Sequence, residues 1–456
     1  MTAPAVTTPQ TPGRRGLPLI GETIPFLRDQ QKWARERYDR FGPVSEAHLI
    51  GRRWHVLLGP EALDVAIVDR DKAFEAGPAW GYINGAFFRG GLAYLDAEAH
   101  FRQRRIMGGA FTRTHLLSYL DGINETIAEQ IDGWAGQPET RVYPAMKQLT
   151  LAIASRTFAG IRLGADAARV NDAFTDCLRA STAFVRRPVP GLSWSRGLRA
   201  RRVLEQTLRA QIPARRAEPG DDFLSVLCGA RDDEGNVFTD DQVVCHMIAL
   251  LQAAHDTTTS TVTSMMYRLV QRPDWQERCR AESRALGTAG LSFDQLDRLP
   301  STDLVMKETL RIDAPVPALP RVAVADTEVL GHRLPRGSFV LALPQFTHHM
   351  PEWWDEPERF DPLRFTAERR EDKVHKQAWS PFGAGLHKCI GQHFAGMQIK
   401  AIMHQVLNRF AWSTDEGYEV SWDRTTVPRP KDGLRVRLVA AGRPGTAAAP
   451  GAEGTA

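Results

Sequence analysis

The strongest constraint in this sequence is one unbroken helical run at residues 239–271, TDDQVVCHMIALLQAAHDTTTSTVTSMMYRLVQ. It opens on a capping box, with Thr239 as N-cap and Gln242 three residues on, so each side chain can satisfy the other's backbone N–H. It stops before Pro273, which cannot continue a helix. At 1.5 Å per residue the run is about 48 Å long, enough to cross a large domain. A chain holding such a rod must pack its other elements around it.

Those elements are mostly helical. Residues 17–43 read as a proline-marked entry, an amphipathic helix and a Gly-Pro stop, and 44–58 as a β-hairpin with Gly51-Arg52 at its turn. Helical periodicity covers 60–69, 97–109, 114–134, 142–159, 167–184 and 196–214, then 274–286, 300–313 and 391–408. Residues 316–342 pattern as short strands, 351–390 as an irregular Pro- and aromatic-rich stretch, and 418–440 as β-like. The class is mainly α with a small β region. No repeat or linker divides the middle. One domain over 14–440 is expected, between a flexible tail at 1–13 and a disordered one at 441–456.

Hydrophobic residues make up 43% of the chain, so a large core can be buried, and a net charge of +4 is too weak to argue for nucleic acid. The five cysteines (Cys177, Cys228, Cys245, Cys279 and Cys389) show no metal-site spacing, which fits a reducing compartment. There is no basic-then-apolar leader and no run of about twenty apolar residues. A cytoplasmic protein without a membrane anchor is expected.

Cys389 stands in FGAGLHKCIG, residues 382–391. Glycines 383, 385 and 391 permit tight turns that aim backbone N–H groups inward. A helix starts near Gly391 and presents its positive end to the sulfur. These features are expected to lower the thiol pKa, and a coordinated ferric iron would remove the proton outright. A cysteine thiolate as axial haem ligand favours O–O cleavage. Two other readings stay open on these residues alone: a buried cysteine beside a glycine turn, or a nucleophile with His387 as its base.

FGAGLHKCIG matches, position by position, the FxxGx[HR]xCxG haem-binding loop of the cytochrome P450 family. Further motifs follow in the family's order between residues 17 and 408. The resemblance implies the cytochrome P450 fold. Haem b would lie between the long oxygen-side helix and the helix after the cysteine loop, with Cys389 as iron ligand and Phe382 in the cofactor-binding loop.

Glu308-Thr309-Leu310-Arg311 resembles the family's ExxR pair, two residues on one helix face that can form a buried ion pair. The family completes this network with a second arginine in an FxPxRF register. Here that is Phe360-Asp361-Pro362-Leu363-Arg364-Phe365, which implies Arg364 and makes Arg359 of the nearby PERF string a decoy. On the long helix, Ala253-Ala254-His255-Asp256-Thr257-Thr258 resembles the family's [AG]Gx[DE]T[TS]. The resemblance implies Thr257 as the holder of a water at the oxygen site and Asp256 as the proton relay. Ala254 departs from the usual glycine, and its methyl is expected to narrow the groove. His255 sits at the motif's variable position and is expected to point away from iron.

The family's propionate ligands map onto His100 and Arg104, an i,i+4 pair, and onto Arg321 and His387. Residues 76–91 (AGPAWGYINGAFFRGG) match the family loop that walls the substrate cavity, with Trp80, Tyr82, Phe87 and Phe88 as apolar contacts and glycines for mobility. Leu250, Ala253, Ala254, Val316, Ala318 and Leu319 fall where the family touches substrate. Residues 184–202 fall at the family's lid and carry arginines that could guide an acidic or carrier-bound substrate, or simply be solvated.

The resemblance thus implies a monooxygenase acting on an apolar small molecule, with a terpenoid-like secondary metabolite as the guess. The chain carries no flavin or ferredoxin motif, so O2 would be reduced with electrons from a separate ferredoxin and ferredoxin reductase. Lys388 and Lys400 are candidates for their docking face. A monomer is expected. A peroxygenase or haem isomerase of the same fold would be expected to lack the Asp256-Thr257 pair. A non-enzymatic haem sensor or recruitment protein would need neither that relay nor a greasy cavity loop.

Overall fold

A computed structural model of the chain describes residues 11–441 except 19, 135–138, 163, 184 and 232–234. At its centre the predicted rod is one helix, Asp240–Gln271, capped as expected. Thr239 Oγ1 accepts from the Gln242 amide at 3.3 Å, and Gln242 Oε1 accepts from the Thr239 amide at 2.9 Å. The second half of the helix is buried although it is rich in hydroxyls, Thr258 through Thr261 and Thr263-Ser264 among them. Two of these hydroxyls donate to the carbonyl four residues back, Thr259 to His255 at 2.8 Å and Thr261 to Thr257 at 2.9 Å. Ser260 donates to Pro428 at 2.7 Å. Back-bonding of this kind lets a polar helix enter a core without stranding its donors.

Helices Val142–Ala159 and Gln392–Arg409 pack against this rod, and with Arg113–Ile131, Ala167–Ser181 and Ser193–Arg209 they enclose one large apolar cluster. Beside it lies a six-stranded sheet of β1 (Gly13–Arg14), β2 (Val44–Leu49), β3 (Arg52–Leu57), β4 (Phe74–Glu75), β5 (Leu319–Ala323) and β6 (Phe339–Ala342). The spatial order is β1-β2-β3-β6-β5-β4. The architecture is mainly α with a small β region.

Several boundaries differ from the sequence reading. The β2–β3 turn is Ile50-Gly51, both at positive φ (51° and 75°), one residue earlier than the expected Gly-Arg. A β-branched residue there is strained, and it is held by Tyr82 Oη donating to its carbonyl at 2.6 Å and by Thr23 Oγ1 accepting from its amide at 2.8 Å. The helix expected over 60–69 is a short turn, Pro60–Leu63, continued by a π-helical turn, Asp64–Val68. Residues 196–214 resolve into Ser193–Arg209 and Ile212–Ala217. Gly13 pairs with Glu46, so the sheet begins inside the stretch expected to be a tail.

The largest difference is at 76–91. This expected glycine loop is the helix Gly77–Phe88. Its first amides are satisfied from outside, by Asp96, whose two carboxylate oxygens accept from Ala76 N at 2.8 Å and Gly77 N at 2.7 Å. A capping acid nineteen residues beyond the amide it caps leaves no local signature.

Candidate cofactor cleft and active site

The cysteine loop is a series of tight turns. Gly383 N donates to Ser380 O at 3.0 Å, Lys388 N to Gly385 O at 3.2 Å, and Cys389 N back to Phe382 O at 2.9 Å. Gly385 has φ +62°, and a Cβ there would lie 2.5 Å from the Ile67 carbonyl oxygen, so the π-helical turn and the loop meet only because this residue is glycine. Cys389 is set deep in the protein, yet its side chain is exposed to a water-sized probe. Such a residue lines an internal cleft.

Burial pushes the Cys389 thiol up from its ordinary value, against the pull of the Gly391 N–H, Arg104 and Lys388. The expectation that local dipoles lower it is therefore corrected: desolvation outweighs them, and a thiolate needs a cation bonded to the sulfur.

The long helix has an open stretch of its own. Ala253, in mid-helix, is exposed, and Leu250, Ala254 and Thr257 are half-exposed, while the turns on either side are buried. Thr257 Oγ1 donates to the Ala253 carbonyl at 2.7 Å, which leaves the hydroxyl oxygen free to accept. Asp256 and His255 point elsewhere and are fully buried. Asp256 Oδ1 lies 3.3 Å from Lys147 Nζ and 3.2 Å from His255 Nε2, and Gln252 donates to its other oxygen. Burial raises the Asp256 carboxyl, but His255, Lys147 and Gln252 outweigh it and the net shift is downward. His255 packs against Phe174 at 5.0 Å with Nδ1 2.7 Å from the Leu251 carbonyl, and burial lowers it.

The proposed propionate ligands are cations in search of anions. Arg321 is 4% exposed and has no ion-pair partner among the described residues; it donates to the neighbouring Pro320 carbonyl at 2.9 Å. Burial lowers it to about 10. Arg104 donates to the Lys388 carbonyl at 2.7 Å and likewise meets no carboxylate. His100 is buried with Nδ1 unpartnered, and burial takes it down to about 4. His387 differs: its ring lies 4.2 Å from that of His100, but its Nε2 is 3.0 Å from Asp96 Oδ1. A cleft with a thiol, an open apolar helix face and two unpaired guanidinium groups fits a flat macrocycle carrying two carboxylates, so the residues present fit a haem.

Glu308 and Arg311 are fully buried and doubly bonded, Nε to Oε2 at 2.7 Å and Nη2 to Oε1 at 2.9 Å. Arg364, also buried, stands 3.4 Å from Glu308 and donates to Glu371 at 2.8 Å. Arg359 is exposed and pairs with Glu356, although its backbone carbonyl accepts from both buried arginines at 3.3 Å.

The other predicted residues scatter. Tyr82, Phe339 and Ala318 belong to one apolar cluster, whereas Phe87 and Phe88 lie inside the main core, with Phe87 edge-on to Trp194 at 4.9 Å. Trp80, Val316, Leu319 and Phe382 are half-exposed. Lys400 is tied to Asp303 at 3.2 Å and to the Leu296 carbonyl at 3.2 Å, so it is not an open docking cation; Lys388 is exposed. Sequence reasoning missed Asp96 and Lys147. Neither lies in a motif, and each acts on a partner distant in the chain.

A cytochrome P450 family profile matches residues 11–434. Cytochrome P450 136 of Mycobacterium tuberculosis is 42% identical over 432 residues, covering 93% of this chain and 88% of that protein. Cytochrome P450 120 of Synechocystis is 30% identical over 434 residues, covering 94% and 97%. The structure of cyanobacterial CYP120A1 with retinoic acid bound superposes with a TM-score of 0.88 at 30% identity, covering 95% of this chain and 100% of that one.

Proposed function

The chain belongs to the cytochrome P450 family and is a haem-thiolate monooxygenase, and from that premise we propose that it oxidises an apolar, isoprenoid-like small molecule, using haem b and electrons from a ferredoxin and its reductase. The observation that carries this reading is the cleft itself. Cys389 lies on one side, and the open stretch Leu250–Thr257, without a charged side chain directed into it, on the other. The retinoic acid bound to a related cytochrome supports an isoprenoid skeleton. Among the described residues no helix is long and apolar enough to cross a membrane.

Haem, when bound, supplies the site where dioxygen is reduced and split. Cys389 would hold it from one side, and Arg104, Arg321 and His100 would hold its carboxylates. Each task left to the protein has a residue. Thr257 Oγ, already donating to Ala253, offers lone pairs to a water or a protonated oxygen in the cleft. Asp256 is the carboxylate next in the chain, and to serve that water it must leave Lys147 and His255. The apolar wall excludes other water and keeps protons from arriving by unprogrammed routes. A peroxide-driven reaction gives the Asp256-Thr257 pair no task, which favours the oxygen-dependent reading.

The test is turnover of the purified holoenzyme with a surrogate ferredoxin system, ¹⁸O-labelled dioxygen and retinoic acid as the first of a series of apolar substrates. Label in the product is expected. Thr257→Ala is expected to divert electrons into hydrogen peroxide with haem content unchanged; equal coupling in variant and wild type would remove Thr257 from the mechanism.

A further inference from the structure

At the outer end of helix Gly77–Phe88, one tyrosine ring is flanked by two guanidinium groups. Arg52, on β3, places its Cζ 4.5 Å from the Tyr82 ring centroid and 4.6 Å from that of Phe339. Arg186, between helices Ala167–Ser181 and Ser193–Arg209, lies 5.1 Å from Tyr82 and 5.8 Å from Trp194. Two cations this close repel, and a carboxylate would ordinarily sit between them. Neither has an ion-pair partner among the described residues. Arg186 is half-buried and uses its donors on carbonyls of Tyr82, Ser181 and Ala183. Arg52 is exposed and makes ring contacts alone.

The shortage of acid extends beyond the pair. The segments that meet here are 47–60, 76–95, 177–204, 314–325 and 329–351, and none contains an Asp or Glu. The pair also adjoins the substrate side, because Tyr82 and Phe339 share an apolar cluster with Ala318. Exposed Val185, Val189 and Leu192 flank it on the connecting segment.

We infer that the Arg52–Tyr82–Arg186 stack is a subsite for the carboxylate of an amphipathic organic acid whose apolar body occupies the cleft. Arg52 supplies an open planar fork for the carboxylate, and Arg186 supplies fixed positive charge from behind the ring. The inference rests on the monooxygenase reading and narrows its substrate class from apolar molecules to apolar acids. It also accounts for the half-burial of an arginine without a counter-ion, which no structural role requires.

The experiment compares retinoic acid with retinol, which share a skeleton and differ in the head group. Each is titrated into purified holoenzyme, following both tryptophan fluorescence and the haem absorbance shift. Wild type is expected to bind the acid about tenfold more tightly, the worth of one charge-assisted contact, with the preference shrinking as salt rises. Arg52→Gln should erase the preference and Arg52→Lys restore part of it, with retinol affinity unchanged in both. Because Arg52 makes no hydrogen bond, these variants leave the fold intact; Arg186→Gln is read only beside its thermal midpoint. Equal affinity for acid and alcohol in wild type, a ratio unmoved by Arg52→Gln, or no binding of either retinoid overturns the inference. So does a result in which Arg52→Gln lowers co-sedimentation with anionic vesicles but leaves the acid-to-alcohol ratio alone, since the arginines would then serve a lipid surface. Failure of the monooxygenase reading is distinguished by the absence of labelled product from every substrate tested.

Discussion

Glu308 and Asp256 are both carboxylates sealed inside the protein, and they are held in opposite ways. Glu308 is saturated: Arg311 grips both oxygens, the Asp361 amide donates at 2.9 Å and Arg364 stands at 3.4 Å. Arg311 in turn donates to the His348 carbonyl at 2.7 Å and lies 5.2 Å from the Trp354 ring centroid. Asp256 is under-filled. Its Oδ1 lies within ion-pair distance of Lys147 and His255 but accepts a hydrogen bond from neither, and His255 Nε2 is likewise unpartnered. A saturated buried ion has no better place to go and fixes the fold around it. An unsaturated one keeps an incentive to rotate toward another partner. The first arrangement suits a brace beneath the cysteine loop, and the second suits a group that must move a proton.

The contrast can be broken by substitution. Glu308→Ala leaves two buried guanidinium groups unpaired and should cost about 3–5 kcal/mol. It is read as a lowered denaturant midpoint with loss of haem; an unchanged midpoint would mean that the network does not brace the fold. Asp256→Asn should lower turnover about 100-fold, the order of a lost proton-transfer group, and raise the solvent isotope effect, while shifting the midpoint far less than Glu308→Ala does. Equal losses of stability in the two variants would erase the distinction.

A third buried carboxylate sharpens it. Asp313 is fully buried between Arg268 at 2.7 Å and Arg424 at 2.8 Å. Burial raises it, but the two arginines outweigh burial and bring it from 3.8 down to about 2. Its folded pKa is depressed, so its stabilisation is complete above the unfolded value and is lost as pH falls from about 4 to about 2. That contribution is on the order of 2.5 kcal/mol. Asp313→Asn should flatten the acid limb of stability against pH over this range, as measured by urea unfolding; an unaltered limb would show that the arginines do not hold the charge.

What was legible in the sequence was whatever its neighbours in the chain determine. The Thr239–Gln242 cap, the glycines around Cys389, the Glu308–Arg311 spacing and the register that places Arg364 rather than Arg359 beside them all act over a few residues. What was not legible depends on residues far apart. Helix Gly77–Phe88 read as a loop because its glycines argue against a helix, and its cap, Asp96, lies beyond the helix. Phe87 and Phe88 matched a cavity wall by composition, but their side of that helix faces the main core. Lys147 finds Asp256 across the contact between Val142–Ala159 and the long helix, which no local pattern encodes. The thiol was misjudged because dipoles can be counted in a sequence and desolvation cannot.

The account depends first on the bond between the Cys389 sulfur and haem iron. The most direct measurement is the carbonyl difference spectrum of the reduced, purified protein beside that of Cys389→Ser. The account predicts a thiolate-type band in the wild type and its disappearance in the variant. A wild type that takes up no haem, or a band of the nitrogen-ligated type that survives the substitution, would contradict it.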